Sequence, residues 1–326
     1  MLRFFDSTCR PSITVFLLGI SIIFVSCSEE GPTDPVVEDD SAELVLLASL
    51  YNDLPDPDEC DPGQLVDAER QKVLQYVNQV RAAHGLPTVG YASEHDDEVT
   101  ASALITAAND LLSHQPTSDL KCWSDAGYRG SNAGNLGWAA RFDQEPEMAF
   151  STKYMVDLWW NDDGEPSVGH RRWMLNPFLT SIAFGRVDRP MTQSESAVTA
   201  TTLWVINEDE ADISALPIDF VAYPFEVTPR RRFNSQAELS FSALVDRTDF
   251  WANQEVDYSS ATIEVTDPSG ERVAVSNVRR LNDGAGLPNA LVWQSPIEQG
   301  VRYDVTIGNV KWGGNVKGYS YWFEVE

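Results

Sequence analysis

Trp159-Trp-Asn-Asp-Asp-Gly-Glu-Pro-Ser-Val-Gly-His-Arg-Arg-Trp-Met-Leu-Asn-Pro177 is the stretch on which the reading of this 326-residue chain turns. It closes one periodicity and opens another. Ahead of it, Val73, Val77 and Val80 recur at helical spacing until Gly85 and Pro87 stop the run. Ser93 offers an N-cap to a second helix, with Glu94, Asp96, Asp97 and Glu98 in the turn where the helix dipole favours anions. The apolar face Val99, Leu104, Ala107, Ala108, Leu111 and Leu112 carries that helix to about Ser113, placing His114 at its C-terminal end. A third helix is expected from Glu145-Pro146-Glu147, its apolar side formed by Phe150, Tyr154, Met155, Leu158 and Trp159, and a short fourth around His170–Leu175. Beyond Pro177 the period becomes two: 182–187 and 197–207 read as strands. Helices followed by strands predict a layered α+β domain rather than βαβ winding.

Four ordered pieces give the segment a family resemblance. They are Val73-Leu-Gln-Tyr-Val-Asn-Gln-Val-Arg81 followed by Gly85-Leu86; His114; Ala133-Gly-Asn-Leu-Gly-Trp138; and Trp159-Trp-Asn-Asp162 followed by Gly169-His170. In this order residues 64–207 resemble the CAP superfamily of cysteine-rich secretory, antigen 5 and pathogenesis-related proteins. The resemblance implies an α-β-α sandwich, here bounded at 64–212. It also implies a cleft of two histidines and two carboxylates, onto which His114, Asp162 and His170 carry over, with Asn135 beside them. The fourth member is missing, because the motif's Glu position is Gly134. Glu165, Asp125 and Glu145 are the acids that could replace it.

Two imidazoles can hold Zn²⁺ or exchange protons, so His114 and His170 are candidate metal ligands as well as a candidate acid–base pair. The family implies two functions: non-catalytic binding of a lipid, small ligand or protein partner, or metal-assisted hydrolysis of peptide, ester or cell-envelope material. The missing acid favours binding. Each residue also has a plainer reading: structural hydrogen-bonded histidines, an acidic turn at Asp162-Asp163-Gly164, and Asn135 bracing a loop. His84 and His95 read as surface residues, and Trp159, Trp160 and Trp173 as core. No G-x-S-x-G, H-E-x-x-H, Walker loop or C-x-x-C is present.

Charge and cysteines place the chain. Fifty acids against 23 bases give a net −27, which repels phosphate backbones and argues against a nucleic-acid partner. Arg3 and Arg10 precede an apolar run, 13–25, too short to span a bilayer, and 1–26 reads as a secretory signal. Phe24-Val-Ser-Cys27 resembles a bacterial lipobox, which implies a diacylglycerol on Cys27 and a membrane-anchored protein of the bacterial envelope, at the outer membrane or cell surface. With Cys9 removed in the signal and Cys27 lipidated, Cys60 and Cys122 remain as an expected disulfide or, alternatively, two separate thiols. Residues 27–63, with twelve acids, no Lys or Arg and five prolines, read as a self-repelling tether with one apolar patch at 44–50.

Past Leu216, the apolar run 218–223 reads as the last strand of the preceding domain or as a connector; beyond it, alternating runs at 237–244, 261–266, 273–275, 290–293, 302–307 and 319–325 lead to an expectation of about seven strands. Their aromatic endings resemble immunoglobulin-like modules, so 213–326 is expected to be an all-β immunoglobulin-like sandwich that spaces or stabilises its neighbour.

Overall fold

The computed structural model describes residues 43–142, 145–192, 196–207, 210–234 and 237–326. The signal at 1–26, Cys27 and the start of the tether lie outside the described residues. In chain order the first elements are β1 (Leu44–Leu46), β2 (Tyr51–Asp53), β3 (Gln64–Leu65), α1 (Asp67–Ala83), β4 (Gly90–Tyr91) and α2 (Asp96–Asn109). They continue with α3 (Asp125–Ala133), β5 (Gly134–Arg141), β6 (Met148–Phe150), α4 (Thr152–Asn161), α5 (Gly169–Met174), β7 (Ser181–Arg189) and β8 (Ala197–Trp204). The remainder is all-β: β9 (Phe220–Tyr223), β10 (Glu226–Thr228), β11 (Leu239–Ala243), β12 (Thr262–Thr266), β13 (Arg272–Val273), β14 (Ser276–Leu281), β15 (Ala290–Gln294), β16 (Arg302–Trp312) and β17 (Asn315–Val325).

A four-stranded sheet, β4-β7-β8-β5, is the centre of the first part, with β4 parallel to β7 and the other pairs antiparallel. Its strands are buried on both faces, as layers of helices on either side require. On one face Phe184 and Leu203 pack with Val73 and Val77 of α1 and Val156 and Trp159 of α4. On the other, Val187, Val198 and Ala200 pack with Ala103, Leu104 and Ala107 of α2. The result is the expected α-β-α arrangement.

Four local expectations change. The second helix ends at Asn109, because Asp110 turns left-handed at φ 50° and the Asn109 side chain bonds both the N–H and the C=O of Lys121. Leu111 and Leu112 are therefore exposed, and His114 sits in a loop rather than at a helix end. The third expected helix starts later, at Thr152, where the Ser151 hydroxyl accepts from Tyr154 N–H. Met148–Phe150 is instead a strand paired with Leu44–Leu46. Residues 125–133 form α3, an additional helix between the second and third expected ones. Finally, the described part of the acidic stretch is built into the fold. Leu47, Leu50 and Tyr51 enter the core, Tyr51 donates to buried Asp188 at 2.6 Å, and Cys60 is bonded to Cys122.

The C-terminal region folds as two sheets, β14-β15-β11-β9 and β10-β17-β16-β12-β13. They face each other through Phe220 and Phe241 on one side and Tyr319 and Tyr321 on the other. The 218–223 run, which could have closed the first part, is β9 of this region. A single apolar core runs from α1 and α4 through Phe178, Tyr223 and Phe250 into these sheets. No helix of the described residues is long and apolar enough to cross a membrane.

Candidate functional site

His114, Asn135, Glu165 and His170 line one cavity of about 370 Å³, a size suited to a small ligand. Gly134 forms part of its floor, and Trp173, Val205, Ile206 and Ala285 supply apolar wall.

His114 comes to the cavity from an exposed loop and is held by α3. Its Nδ1 donates to Ser131 O at 2.8 Å. A carbonyl has no proton to give, so in the neutral ring Nε2 carries the lone pair. Ser131 is fixed in turn by a buried hydroxyl chain: Ser102 Oγ lies 2.8 Å from Ser131 Oγ and accepts from Thr202 Oγ1 at 2.9 Å. This chain exists because α3 packs closely on α2. A Cβ at Gly130 would fall inside the contact radius of Glu98 O, and one at Gly127 would meet Ile105 and Ala101.

His170 is held differently. The chain turns left-handed at Asp162 (φ 54°), Gly164 (φ 79°) and Val168 (φ 46°). The loop 162–168 thereby folds back and enters α5 beside Asp162. The Asp162 carboxylate accepts from His170 Nδ1 at 2.7 Å and from Arg171 N–H at 3.2 Å. Asp162 is thus buried behind the ring rather than on the cavity wall. Burial opposes a charge on His170, but the Asp162 hydrogen bond and charge, with Glu165 beyond, outweigh it and raise its pKa. Asn135, 2% exposed, donates to His170 O at 2.9 Å and braces the backbone under the ring.

Of the three candidate acids, Glu165 is the one that lines the cavity. Its Oε1 accepts from Ser167 N–H at 3.1 Å and Ser167 Oγ–H at 2.7 Å. Burial works against the carboxylate, but these two bonds and the charges of His170 and His114 pull its pKa down. It is therefore ionised and faces both imidazoles. Gly134 could not carry this acid: a Cβ there would lie 2.7 Å from Thr202 Cγ2 and 2.9 Å from Gly130 O. Asp125 begins α3, and Glu145 offers its backbone O to Arg141; neither reaches the wall.

The metal reading meets a geometric obstacle. Each imidazole has one nitrogen to offer, but among the described residues no three His, Cys, Asp or Glu side chains converge closely enough to hold an ion. The described residues do not fit a zinc site. His84 and His95, read as surface residues, are both partly covered. His84 stacks on Tyr223 and Phe225, and burial lowers its pKa to about 4. His95 stacks on Trp204 at 3.8 Å.

Sequence reasoning missed Ser131, Ser167 and Ala285. Ser167 had a local signal, two residues beyond Glu165, whereas Ser131 and Ala285 arrive by tertiary packing. Comparison with curated proteins finds no match to the chain. Residues 74–207 match the family model described as CAP, the cysteine-rich secretory protein family, and this matched segment is the part that folds into the α-β-α layers.

Proposed function

We propose that the chain is a CAP-family binding protein whose histidine cavity takes a small, amide-bearing ligand. The observation that carries this reading is Glu165: an acid restored from another part of the chain to face both imidazoles, where the family's own position is blocked. His170, whose pKa is raised, offers an N–H when protonated, while the Nε2 lone pair of His114 and the Glu165 carboxylate offer acceptors. An amide supplies both complements at once, and Trp173, Val205 and Ile206 would cover an apolar side group. The test is a titration of the full chain with N-acetyl-leucinamide, followed through the His114 and His170 ring resonances. Both rings should shift, and Glu165→Gln should weaken the effect. Unmoved rings across a panel of such amides would overturn the reading.

A second reading, acid–base hydrolysis of a small ester or peptide, is favoured by Asp162 behind His170, which orients and charges the ring as a proton-transferring pair requires. A chromogenic ester hydrolysed by the wild type but not by His170→Ala would support it. We also read Cys27 as the lipid anchor that holds the protein at the bacterial envelope, and the C-terminal sheets as immunoglobulin-like. Labelled fatty acid incorporated by the wild type and not by Cys27→Ser is the expected result for the anchor.

A further inference from the structure

We infer that the C-terminal all-β region is part of the binding site rather than a spacer beside it: loop 282–289 forms one wall of the histidine cavity and fixes what it admits. Ala285, between β14 and β15, lines the cavity opposite residues that all belong to the CAP domain. The loop that presents it is held against α5. Arg172, 1% exposed, donates to Asp283 Oδ1 at 2.8 Å and also to Leu287 O. Between these anchors Gly286 presses on the backbone of Arg172 and Trp173 with no room for a Cβ.

The same sheet grips the segment that carries Glu165 and His170. Arg279 of β14 donates to Pro166 O at 2.9 Å. Val168, fully buried, packs with Leu281, Ala290 and Val292. Arg171, also fully buried, donates to Glu238 O and stacks over Tyr223 at 5.0 Å. The residue before Glu165's partner Ser167, the residue after it, and both residues after His170 are thus held by the C-terminal region. Position and aperture of the cavity are set from outside the CAP domain. With Ala285 at the rim, a ligand keeps room for a side group there; a larger residue would exclude it.

Ligand selectivity follows only if the cavity is the binding site proposed above, but the wall itself is tested without any ligand. Diethylpyrocarbonate labels accessible imidazoles, and peptide mass spectrometry gives a rate for each histidine of the full chain. Ala285→Trp should slow labelling of His170 about tenfold and leave His95 unchanged. Asp283→Ala, at a half-exposed side chain that can be lost without unfolding, frees the loop and should speed His170 about threefold. It keeps the test open if the Trp variant fails to fold. An unchanged His170 rate in the folded variants would overturn the inference. Shielding of His170 without binding of any amide would uphold the wall and count against the ligand reading alone.

Discussion

The two sides of the histidine cavity are built by opposite means. The His114 side is assembled from neighbours: α3 lies against α2 through Gly127, Gly130 and Ser131, and the loop 110–124 is closed by Asn109 and the Cys60–Cys122 bridge. The His170 side is assembled from a distance, by a buried carboxylate and by Arg171, Arg172 and Arg279 reaching between the α-β-α layers and the C-terminal sheets. The first side depends on absent side chains, which is a steric device. The second depends on buried charged groups and the hydrogen bonds they make, which is an electrostatic one. The two therefore differ in how they fail: steric walls through added volume, electrostatic walls through lost partners or a change of pH.

The largest effect is expected from Gly130→Val. The new side chain has no space against Glu98 O, so α3 must separate from α2, at a cost on the order of 4 kcal/mol in denaturant unfolding. Next comes the bridge. Cys60→Ser releases a 62-residue separation and should cost about 3 kcal/mol, read as a lower thermal midpoint under non-reducing conditions. On the opposite side, Asp162→Ala strips His170 and Arg171 of their shared acceptor, and about 2 kcal/mol is expected. That loss depends on pH. The raised pKa of His170 means its proton stabilises the fold fully below the ordinary imidazole value of about 6.5, and the gain fades as pH rises through the native value. The variant should thus trail the wild type more at acid than at alkaline pH. His84 carries the opposite sign. With its pKa lowered to about 4, it withdraws stability as pH falls from about 6.5 toward that value, and His84→Gln should flatten this acid limb. The smallest effect is Glu165→Gln, within about 0.5 kcal/mol in stability but visible as a lower His170 pKa by NMR.

This contrast also explains what could be read from the sequence. The α1 face, the strands at 182–187 and 197–204, and most C-terminal strands were legible, because burial imposes a period that local composition displays. Helix α3 was not. Asp125-Ala-Gly-Tyr-Arg-Gly-Ser-Asn-Ala133 has two glycines, which lower helix propensity, yet here they serve close packing. The Ser124 cap and Asp125 behind it were the available signal. The histidines, Asp162 and Asn135 could be named from motif order, but the order said nothing of Asp162 lying behind the ring. Glu165 stood among three acids with nothing to select it, since its approach depends on three left-handed turns in loop 162–168. The acidic stretch misled because its charge outnumbers the few apolar side chains that decide its place. Leu47, Leu50 and Tyr51, all buried, pin its described part to the core.

The Cys60–Cys122 bridge also determines where mechanical load would travel. A pull on the amino-terminal side of the fold first meets β1, paired over three residues with β6, and then β2. These strands can peel one after another. At Cys60 the peeling stops, because the next link is covalent, and tension passes to Cys122 and the loop that presents His114. One edge of the cavity is in this way tied to the end of the chain by which an anchored protein would be held.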